Sequence, residues 1–452
     1  MVVAIFFPNQ LFDIKHVRKL VKEHHVSEIV IWEDPCFFGE RRGDEYPSDI
    51  PFNKLRLAYM HVCNRLFAKR LEDAKLPVNI LKTYTPAGNS VVCYDPCDKL
   101  ISKKLASDLA TVIDSPQFIL TYQECIAFGG GKKKLAHKPF FDMVKSKIQF
   151  LEGVSSTDKE NRKPLPKEAG VAPSPYLRVP KDEHVLQLWA EAKSVYALDE
   201  SVDLTYFKQL PMSPKQARQW FQKFLDERFS NFAKYEDAIA DGQPWLYHSG
   251  ISIFLNNGLL TPSDVLDSLR KFKSNPSVEA FVRQVFGWRE YARMYYLSVP
   301  ANVARKNVFK NKALLAPFWW AASKAATLPP VVQDAVNDAW NMGYLHHIRR
   351  LMVVSNFMTL NNIHPDEVYR WMYAFALDAW SWVMVFNVYS MGTWSDGGVA
   401  MRKPYVSSSA YLRRMGRLGS GTWATEWDAS YKAFISKHQN ILKHTVLAQH
   451  SS

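Results

Sequence analysis

The sequence predicts an α/β domain with a doubly wound parallel sheet, followed by a larger all-α domain. Up to about residue 128, short apolar runs alternate with stretches of helical periodicity, which is typical of a parallel sheet with helices on both faces. From about residue 201 onward, helix signals dominate. The chain has 452 residues, more than a single hydrophobic core usually serves, so at least two domains are expected.

The first domain, residues 1–128, is predicted to alternate strands and helices. The strands are "VVAIFF" and "EIVIWE", with "VNIL" and "QFILTY" as weaker ones, and the helices are "IKHVRKLVKEHH" and "FNKLRLAYMHVCNRLFAKRLEDA". Ligands of such sheets bind beyond the carboxyl ends of the strands, which makes "PNQL" and "WEDP" candidate binding turns. The glycine motif of a dinucleotide site does not follow the first strand.

Residues 129–200 are predicted to be a connector, because they are rich in Gly, Lys, Pro and Ser. One short helix is expected at "FFDMVKSKIQFLEG". The run "GGGKKK" lacks the spacing and the hydroxyl residue of a phosphate-binding loop, so we interpret it as a solvated basic turn.

Residues 201–445 are predicted to form the helical domain. Helix starts are marked by Ser213 with Gln216 and by Thr261 with Asp264, both spaced as capping boxes, and by Pro365 in a first turn. Twelve of the fourteen tryptophans lie in this part of the chain. They indicate either an ordinary aromatic core or a site for a flat ligand or an electron path.

Composition narrows the partners and the compartment. The net charge of +13 and the pI near 9.3 favour a protein that binds a polyanion, such as nucleic acid. The alternative is a basic enzyme that has no such partner. The five cysteines form no CxxC pair and none follows Cys125, so reduced thiols are expected, not disulfides or a metal site. With no long apolar run and no signal peptide, we expect an intracellular, soluble monomer of the cytoplasm or nucleoid that contacts no membrane.

The segment "NMGYLHHIRRLMVVSNFMTL", residues 341–360, is predicted to be one helix carrying two histidines and two arginines. Neighbours on an α-helix point about 100° apart, so His346 and His347 should not face one ligand, whereas His347 and Arg350 share a face. This argues against a metal site. A buried Arg350 needs an anion, and Asp378 is the predicted partner, beneath a polar ligand. The alternative is that Arg350 reaches solvent and His347 is a core histidine.

Seven motifs in order resemble the cryptochrome/photolyase family over nearly the whole chain. They are "FPNQLF", "DKENRKPLP", "LYHSGISIFLNNGLLTP", "VRQVFGWREYARMYY", "YLHHIRRLM", "HPDEVYRWMYAFALDAW" and "FNVYSMGTWSDGGVAMRKPYVSSSAYLRRM". The resemblance is to the bacterial iron–sulfur branch, which includes prokaryotic (6-4) photolyases. It implies an N-terminal antenna domain, a long connector and a helical domain that binds FAD.

The same resemblance implies residue roles in the helical domain. Arg350 and Asp378 match the pair beside the isoalloxazine ring, and Met384 stands where relatives place a hydrogen-bonding residue. The further FAD-binding residues implied are Tyr235, His248, Ser249, Ser252, Arg289 and Asn387. Trp371, with Trp319 or Trp320, matches the electron-donor chain, although Met372 replaces an oxidisable tyrosine.

For the lesion, the resemblance implies that His347 gives and retakes a proton, supported by its neighbour His346. Tyr405 and Tyr411 match tyrosines that line the pocket for a flipped-out base. The implied DNA contacts are Trp288, Arg402, Lys403 and Arg413, with a solvated basic face as the alternative for the three cations.

Two further implications concern chromophores. Glu33 matches the acid that holds a lumazine antenna, favouring 6,7-dimethyl-8-ribityllumazine, with Asn9 and Gln10 lining the same pocket; a surface carboxylate is the alternative for Glu33. The branch's cluster cysteines are missing, so no iron–sulfur cluster is expected. Packing of Trp423, Trp427 and Tyr431 is one possible replacement, and a drifted function is the other.

The favoured function is light-dependent repair of pyrimidine (6-4) pyrimidone photoproducts in UV-damaged DNA, with FAD as the catalyst. The first alternative is a cryptochrome-type blue-light receptor without repair activity. The second is a light-independent helical DNA-binding protein. No long C-terminal tail that could signal is expected after "HTVLAQHSS", which is a mild argument against the receptor.

Overall fold

The computed structural model describes residues 1–445 except 86–89, 107–109, 152–160, 167, 179–180, 323–327 and 444. The first three residues of the "DKENRKPLP" motif and most of "HTVLAQHSS" therefore lie outside the described residues.

The N-terminal domain is built on a five-stranded parallel sheet in the order β3-β2-β1-β4-β5. The strands are β1 Val2–Phe6, β2 Glu28–Trp32, β3 Val78–Leu81, β4 Ser90–Tyr94 and β5 Thr111–Ile113. β1 pairs with β2 on one side and with β4 on the other, so the strand order reverses between β1 and β4. The predicted doubly wound α/β domain is confirmed.

Three helices connect these strands: α1 Ile14–His24, α2 Lys54–Asp73 and α3 Lys99–Ala106. Asp13 caps α1 and Asn53 caps α2 by accepting from backbone N–H groups in the first turn. α2 has buried residues on most of its circumference because it lies between β3 and a helix of the connector, α6 (Glu183–Val195).

The strand predicted at "QFILTY" is wrong. These residues form turns, and Thr121 and Glu124 make the capping box that starts the helix α4, Tyr122–Gly129. The Gln117 amide points inward instead, donating to the backbone oxygens of Asn9, Leu255 and Asn256. The strands that the prediction missed are β4 and β5.

The connector carries α5 His137–Ser146 and α6 Glu183–Val195. The helices that follow are α7 Thr205–Lys208, α8 Pro214–Glu227, α9 Phe229–Tyr235, α10 Ser252–Asn256, α11 Pro262–Leu269, α12 Ser277–Val282, α13 Arg289–Ser298, α14 Ala301–Ala304, α15 Pro330–Met342, α16 Asn356–Leu360, α17 Pro365–Phe375, α18 Ser381–Val385, α19 Ser409–Gly416, α20 Thr422–Lys437 and α21 Gln439–Leu442. The predicted helical domain is confirmed.

The capping predictions hold in different degrees. Thr261 and Asp264 form the complete reciprocal box at the start of α11. Ser213 caps α8, but the Gln216 side chain accepts from the backbone N–H of Met212, one residue earlier than a capping box requires.

Residues 341–360 do not form one helix. α15 ends at Met342, with Gly343 in the left-handed region at φ 63°, where glycine carries no Cβ penalty. Residues 344–346 have no regular secondary structure, and a new helix begins at residue 347. The argument that two adjacent histidines diverge by 100° therefore does not apply, because His346 precedes the helix and His347 opens it.

One hydrophobic core runs through both domains. α2 links the two domains through polar contacts: buried Arg56 donates to the backbone oxygens of Tyr373 and Ala379, and Asn53 donates to that of Trp340. Across the residues that the structure describes, no helix is both long and apolar enough to span a membrane.

Candidate active site

A cavity of about 630 Å³ opens among the helices of the C-terminal domain, within the size range of small-molecule sites. Three π-helical turns occur in the described part of the chain: Arg283–Trp288, Arg349–Ser355 and Phe386–Gly392. Each of them contributes side chains to the cavity wall. Because π turns are uncommon and concentrate at functional sites, this grouping marks the cavity as the candidate active site.

An ion pair forms the base of the cavity. Arg350 binds Asp378 through two parallel bonds, Nη1 to Oδ1 at 2.9 Å and Nη2 to Oδ2 at 3.1 Å. Ser252 Oγ donates to Asp378 Oδ2 at 2.7 Å, and Arg350 Nε donates to the Leu345 oxygen at 2.6 Å. The structure thus joins the two residues that the sequence paired and adds predicted Ser252 as a third member.

The three histidines near the cavity form two different contacts. The rings of His248 and His346 stack, with centroids 4.1 Å apart and planes 13° apart, while His347 stands edge-on to His248. Burial strongly lowers the pKa of His248 and His346, whose rings are fully enclosed. Both stay neutral, whereas the His347 side chain is 43% exposed at the cavity rim.

The histidine nitrogens could suggest a metal site, since one from each ring lies within 4.8 Å of the others. A ligating nitrogen directs its lone pair in the plane of the ring. The planes of His248 and His346 are nearly parallel, so their lone pairs do not converge on one ion.

Asp237 is a residue of the candidate site that the sequence analysis missed. Its Oδ1 lies 3.5 Å from Nε2 of His347, and its Oδ2 accepts from the Tyr411 hydroxyl at 3.4 Å. It joins two residues that lie more than 100 positions away from it in the chain, which no local pattern reveals. The only sequence signal is the acidic pair that it forms with Glu236 after α9.

Arg162 is the second missed residue and comes from the connector. Its Nε binds Glu236 Oε1 at 3.1 Å, and its side chain is 45% exposed. Burial raises the pKa of the Glu236 carboxyl. Arg162 lies in the "DKENRKPLP" motif, so the connector reaches the rim of the cavity.

The predicted lesion residues gather at the same rim. Tyr405, Tyr411, Trp288 and Lys403 all line the cavity, and burial raises the pKa of both tyrosines. Arg402 and Arg413 do not line the cavity, although both are exposed.

Two predicted cofactor residues are placed differently from the expectation. Tyr235 does not line the cavity but packs in a small separate cluster with Leu165, Ala238 and Leu246. Arg289 lines the cavity, but it donates to Asn256 Oδ1 and to the backbone oxygens of Gln117 and Leu255. Arg289 therefore holds the wall together, with each of its three nitrogens donating to a wall residue.

The other predicted cofactor residues, His248, Ser249, Met384 and Asn387, do line the cavity. Nε2 of His248 has no partner and is buried, as expected for a wall that awaits a polar ligand, since a buried unpaired nitrogen is costly. The cavity volume, the apolar wall, the Arg350–Asp378 pair and this open nitrogen together fit a large cofactor with polar and aromatic parts.

The predicted electron-donor tryptophans lie behind the cavity. Trp371 is fully buried and meets Trp319 edge to face at 5.7 Å between centroids. The Trp371 Nε1 donates to the Trp319 oxygen at 2.6 Å. Trp320 follows Trp319 and is partly exposed.

The predicted antenna residues do not form one cluster of contacts. Glu33 is buried and accepts from Asn64 and Arg65 of α2. Asn9 and Gln10 donate to backbone oxygens of residues 94–96, across the switch point between β1 and β4. Their side-chain oxygens, Asn9 Oδ1 and Gln10 Oε1, have no partner.

The chain is similar to known photolyases and cryptochromes. It is 28% identical over 360 residues to a (6-4) photolyase of Agrobacterium fabrum, covering 72% of this chain and 68% of that protein. No family model matches the chain. A class III photolyase from Agrobacterium tumefaciens superposes with a TM-score of 0.60 at 15% identity, over 98% of each chain.

A Synechocystis sp. PCC6803 cryptochrome superposes equally well, with a TM-score of 0.60 at 14% identity over 96% of this chain and 98% of that one. The chain thus shares its fold with photolyases and cryptochromes and is similar in sequence to a (6-4) photolyase. Members of the photolyase/cryptochrome family generally bind FAD, and the cavity described above fits that cofactor.

Proposed function

We propose that this protein is a light-dependent DNA photolyase that reverts pyrimidine (6-4) pyrimidone photoproducts. The observation that carries the proposal is the arrangement of His347, Asp237 and Tyr411 at the cavity rim. A half-exposed histidine held by a carboxylate, beside two tyrosines, suits proton transfer to a base that has left the DNA stack.

FAD in the cavity would supply the light-driven electron when bound. The Arg350–Asp378 pair would hold its ring system, because both residues line the cavity and the Ser252 hydroxyl fixes the carboxylate of Asp378 in place. His248 and Ser249 are the candidates for the polar part of the cofactor. Met384 and Asn387 would flank it.

The protein groups then divide the work on the lesion. His347 gives a proton to the damaged base and takes it back, and Asp237 orients its ring through Nε2. Tyr405 and Tyr411 offer aromatic faces to the extruded base, which offset part of the few kcal/mol that flipping costs. Lys403, Arg402 and Arg413 attract the phosphates, consistent with the net charge of +13.

We further propose that Glu33 holds a lumazine antenna, 6,7-dimethyl-8-ribityllumazine, near the end of β2. The buried carboxylate and the unpartnered oxygens of Asn9 and Gln10 offer polar groups near the carboxyl ends of the strands, where such sheets bind ligands.

The second candidate function is a cryptochrome-type receptor, favoured by the equal superposition on a cryptochrome. Chromatography of a (6-4)-damaged oligonucleotide after blue illumination with the reduced protein separates the two. A dark sample and an oligonucleotide with a cyclobutane dimer are the controls. We expect conversion of the (6-4) substrate in light only. If the protein binds and photoreduces flavin but converts neither oligonucleotide, the result would contradict the photolyase and favour the cryptochrome-type receptor.

A further inference from the structure

A basic turn of the connector has no part in the function proposed above. It is the segment "GGGKKK", residues 129–134, which links the end of α4 to the start of α5. Its three lysines, Lys132, Lys133 and Lys134, are all exposed. None of them forms an ion pair with a residue that the structure describes. The turn therefore presents three positive charges to solvent without an acidic partner.

The backbone of this turn is held in one shape. Gly129 lies so close to α13 that an added Cβ would collide with the Ser298 side chain. Gly131 has a φ of 71°, in the left-handed region that glycine adopts without strain. The Lys132 ammonium lies 4.0 Å from the ring centre of Phe128. Because the turn is preorganised, less conformational freedom is lost when its lysines bind a partner than in a loose loop.

Two contacts place the turn beside the cavity. The backbone N–H of Leu135, directly after the lysines, donates to the Val399 oxygen at 2.7 Å. Val399 precedes Lys403 of the cavity wall by four residues. At the start of α5, the His137 ring stacks on Trp288, another residue of the wall, with centroids 3.7 Å apart. The turn is thus connected to two parts of the cavity wall.

The distance from the turn to the cavity wall corresponds to a few nucleotides of DNA. The four residues from Val399 to Lys403 span at most about 14 Å of extended chain. Each strand of DNA carries a phosphate about every 3.4 Å along the helix axis. A strand whose damaged base lies in the cavity would therefore bring phosphates to the turn within about four nucleotides of the lesion.

We propose that Lys132, Lys133 and Lys134 bind the DNA backbone a few nucleotides away from the lesion. The proposal rests on the proposed function, because it extends the phosphate contact that Arg402 and Lys403 make at the cavity rim. Lysine side chains contact phosphates without reading the bases, so the turn adds affinity and no sequence preference. It differs in this from a phosphate-binding loop, whose backbone N–H groups hold a nucleotide.

Acetylation of the purified wild-type protein, with and without a (6-4)-damaged duplex, tests the contact directly. An amine-reactive reagent modifies exposed lysines, and mass spectrometry of the peptides gives the yield at each position. We expect saturating DNA to remove most of the modification from the three lysines of the turn. Lys22, Lys75 and Lys103 of the α/β domain are exposed and should react equally in both samples. Equal modification of the turn with and without bound DNA would overturn the proposal.

The salt dependence of DNA binding is the second test. Combining Lys132→Ala, Lys133→Ala and Lys134→Ala should reduce the slope of log affinity against log salt by about 0.9 for each lysine. From about 50 to about 200 mM salt, the affinity of the wild-type protein should then fall about fortyfold more than that of the variant. Flavin content, and repair of lesions at saturating protein, should not change.

Alanine at the three control lysines of the α/β domain removes the same net charge and should keep the wild-type slope. A wild-type slope in the turn variant, or an equal reduction in both variants, would overturn the proposal. A wild-type protein that binds no damaged DNA, or that binds it and never repairs it in light, would contradict the proposed function instead.

Discussion

At the scale of single residues, buried charge proved the most informative signal. Arg350 lies among apolar neighbours in the sequence and needs an anion, and the structure supplies Asp378, predicted on that ground alone. Asp237 had no such signal, because its partners come from distant segments. The family motifs implied that Tyr235 and Arg289 bind the cofactor. In the structure Tyr235 packs against Leu165 and Arg289 donates to Asn256, contacts that depend on the tertiary packing of this chain.

His347 and the Arg350–Asp378 pair should respond differently to truncation. His347→Ala removes a half-exposed side chain at the rim, so flavin and damaged DNA should both remain bound while repair is lost. Arg350→Ala or Asp378→Ala leaves an unpaired charge in the cavity wall, which should lower flavin occupancy on the order of tenfold or more. Flavin absorbance per protein, with repair measured on the same samples, distinguishes these roles.

His347→Gln serves as the control for size, since it keeps a polar side chain without the capacity to shuttle a proton at neutral pH. Equal flavin loss in the His347 and Arg350 variants would contradict the separation of a proton-transfer residue from a cofactor-holding pair.

At the scale of elements, α20 fixes the position of a segment that lines the cavity. It holds the segment that carries Tyr405: the Trp427 Nε1 donates to the Ser407 oxygen at 2.9 Å. Asp428 accepts from the backbone N–H and the hydroxyl of Ser409 at 2.7 and 3.0 Å. Trp427 and Asp428 thus fasten the segment that carries Tyr405 to α20.

Asp428→Asn should therefore loosen the segment around Tyr405. The substitution keeps the shape but removes the charge that strengthens two hydrogen bonds, worth about 1.5–3 kcal/mol when an ion takes part. We expect faster amide exchange in residues 405–412, measured by mass spectrometry, and weaker binding of damaged DNA with flavin retained. Asp142→Asn, in an exposed pair with Lys138, is the control and should change neither.

Element boundaries show what sequence patterns could and could not supply. The glycine that ends α15 and the Thr121–Glu124 box that starts α4 are local signals present in the sequence. The apolar runs around them favour a strand at "QFILTY" and one continuous helix over residues 341–360, which the structure does not contain. The strands β4 and β5 are short, and three of their eight residues are exposed, so no strong alternation marks them.

At the scale of the whole molecule, buried neutral histidines couple folding to pH. Burial lowers the pKa of His137 to about 4, with its ring stacked at 3.7 Å on Trp288 of the cavity wall. In the unfolded chain the His137 imidazole gains its proton near pH 6.5, whereas in the folded chain it does so only near pH 4. The free energy of unfolding therefore falls as pH drops from 6.5 toward 4, and His248 and His346 act in the same direction.

His137→Phe should weaken this dependence, because it keeps the ring on Trp288 without the titrating group. Between pH 6.5 and 5, the wild-type protein should lose on the order of 1–2 kcal/mol more stability than the variant. Urea unfolding at both pH values measures the difference. His184→Phe, at an exposed position, should keep the wild-type dependence of the free energy of unfolding on pH. An unchanged dependence in His137→Phe would show that His137 does not contribute to it.

The three π turns around the cavity have a thermodynamic meaning for the folded state. Each one widens a helix by a residue and replaces the regular hydrogen bonds of an α-helix with less favourable ones. Helical backbone with less regular hydrogen bonds thus surrounds the site, where a bound ligand would add stabilisation. Folding of the cavity wall and retention of the cofactor then form one linked equilibrium, in which loss of one promotes loss of the other.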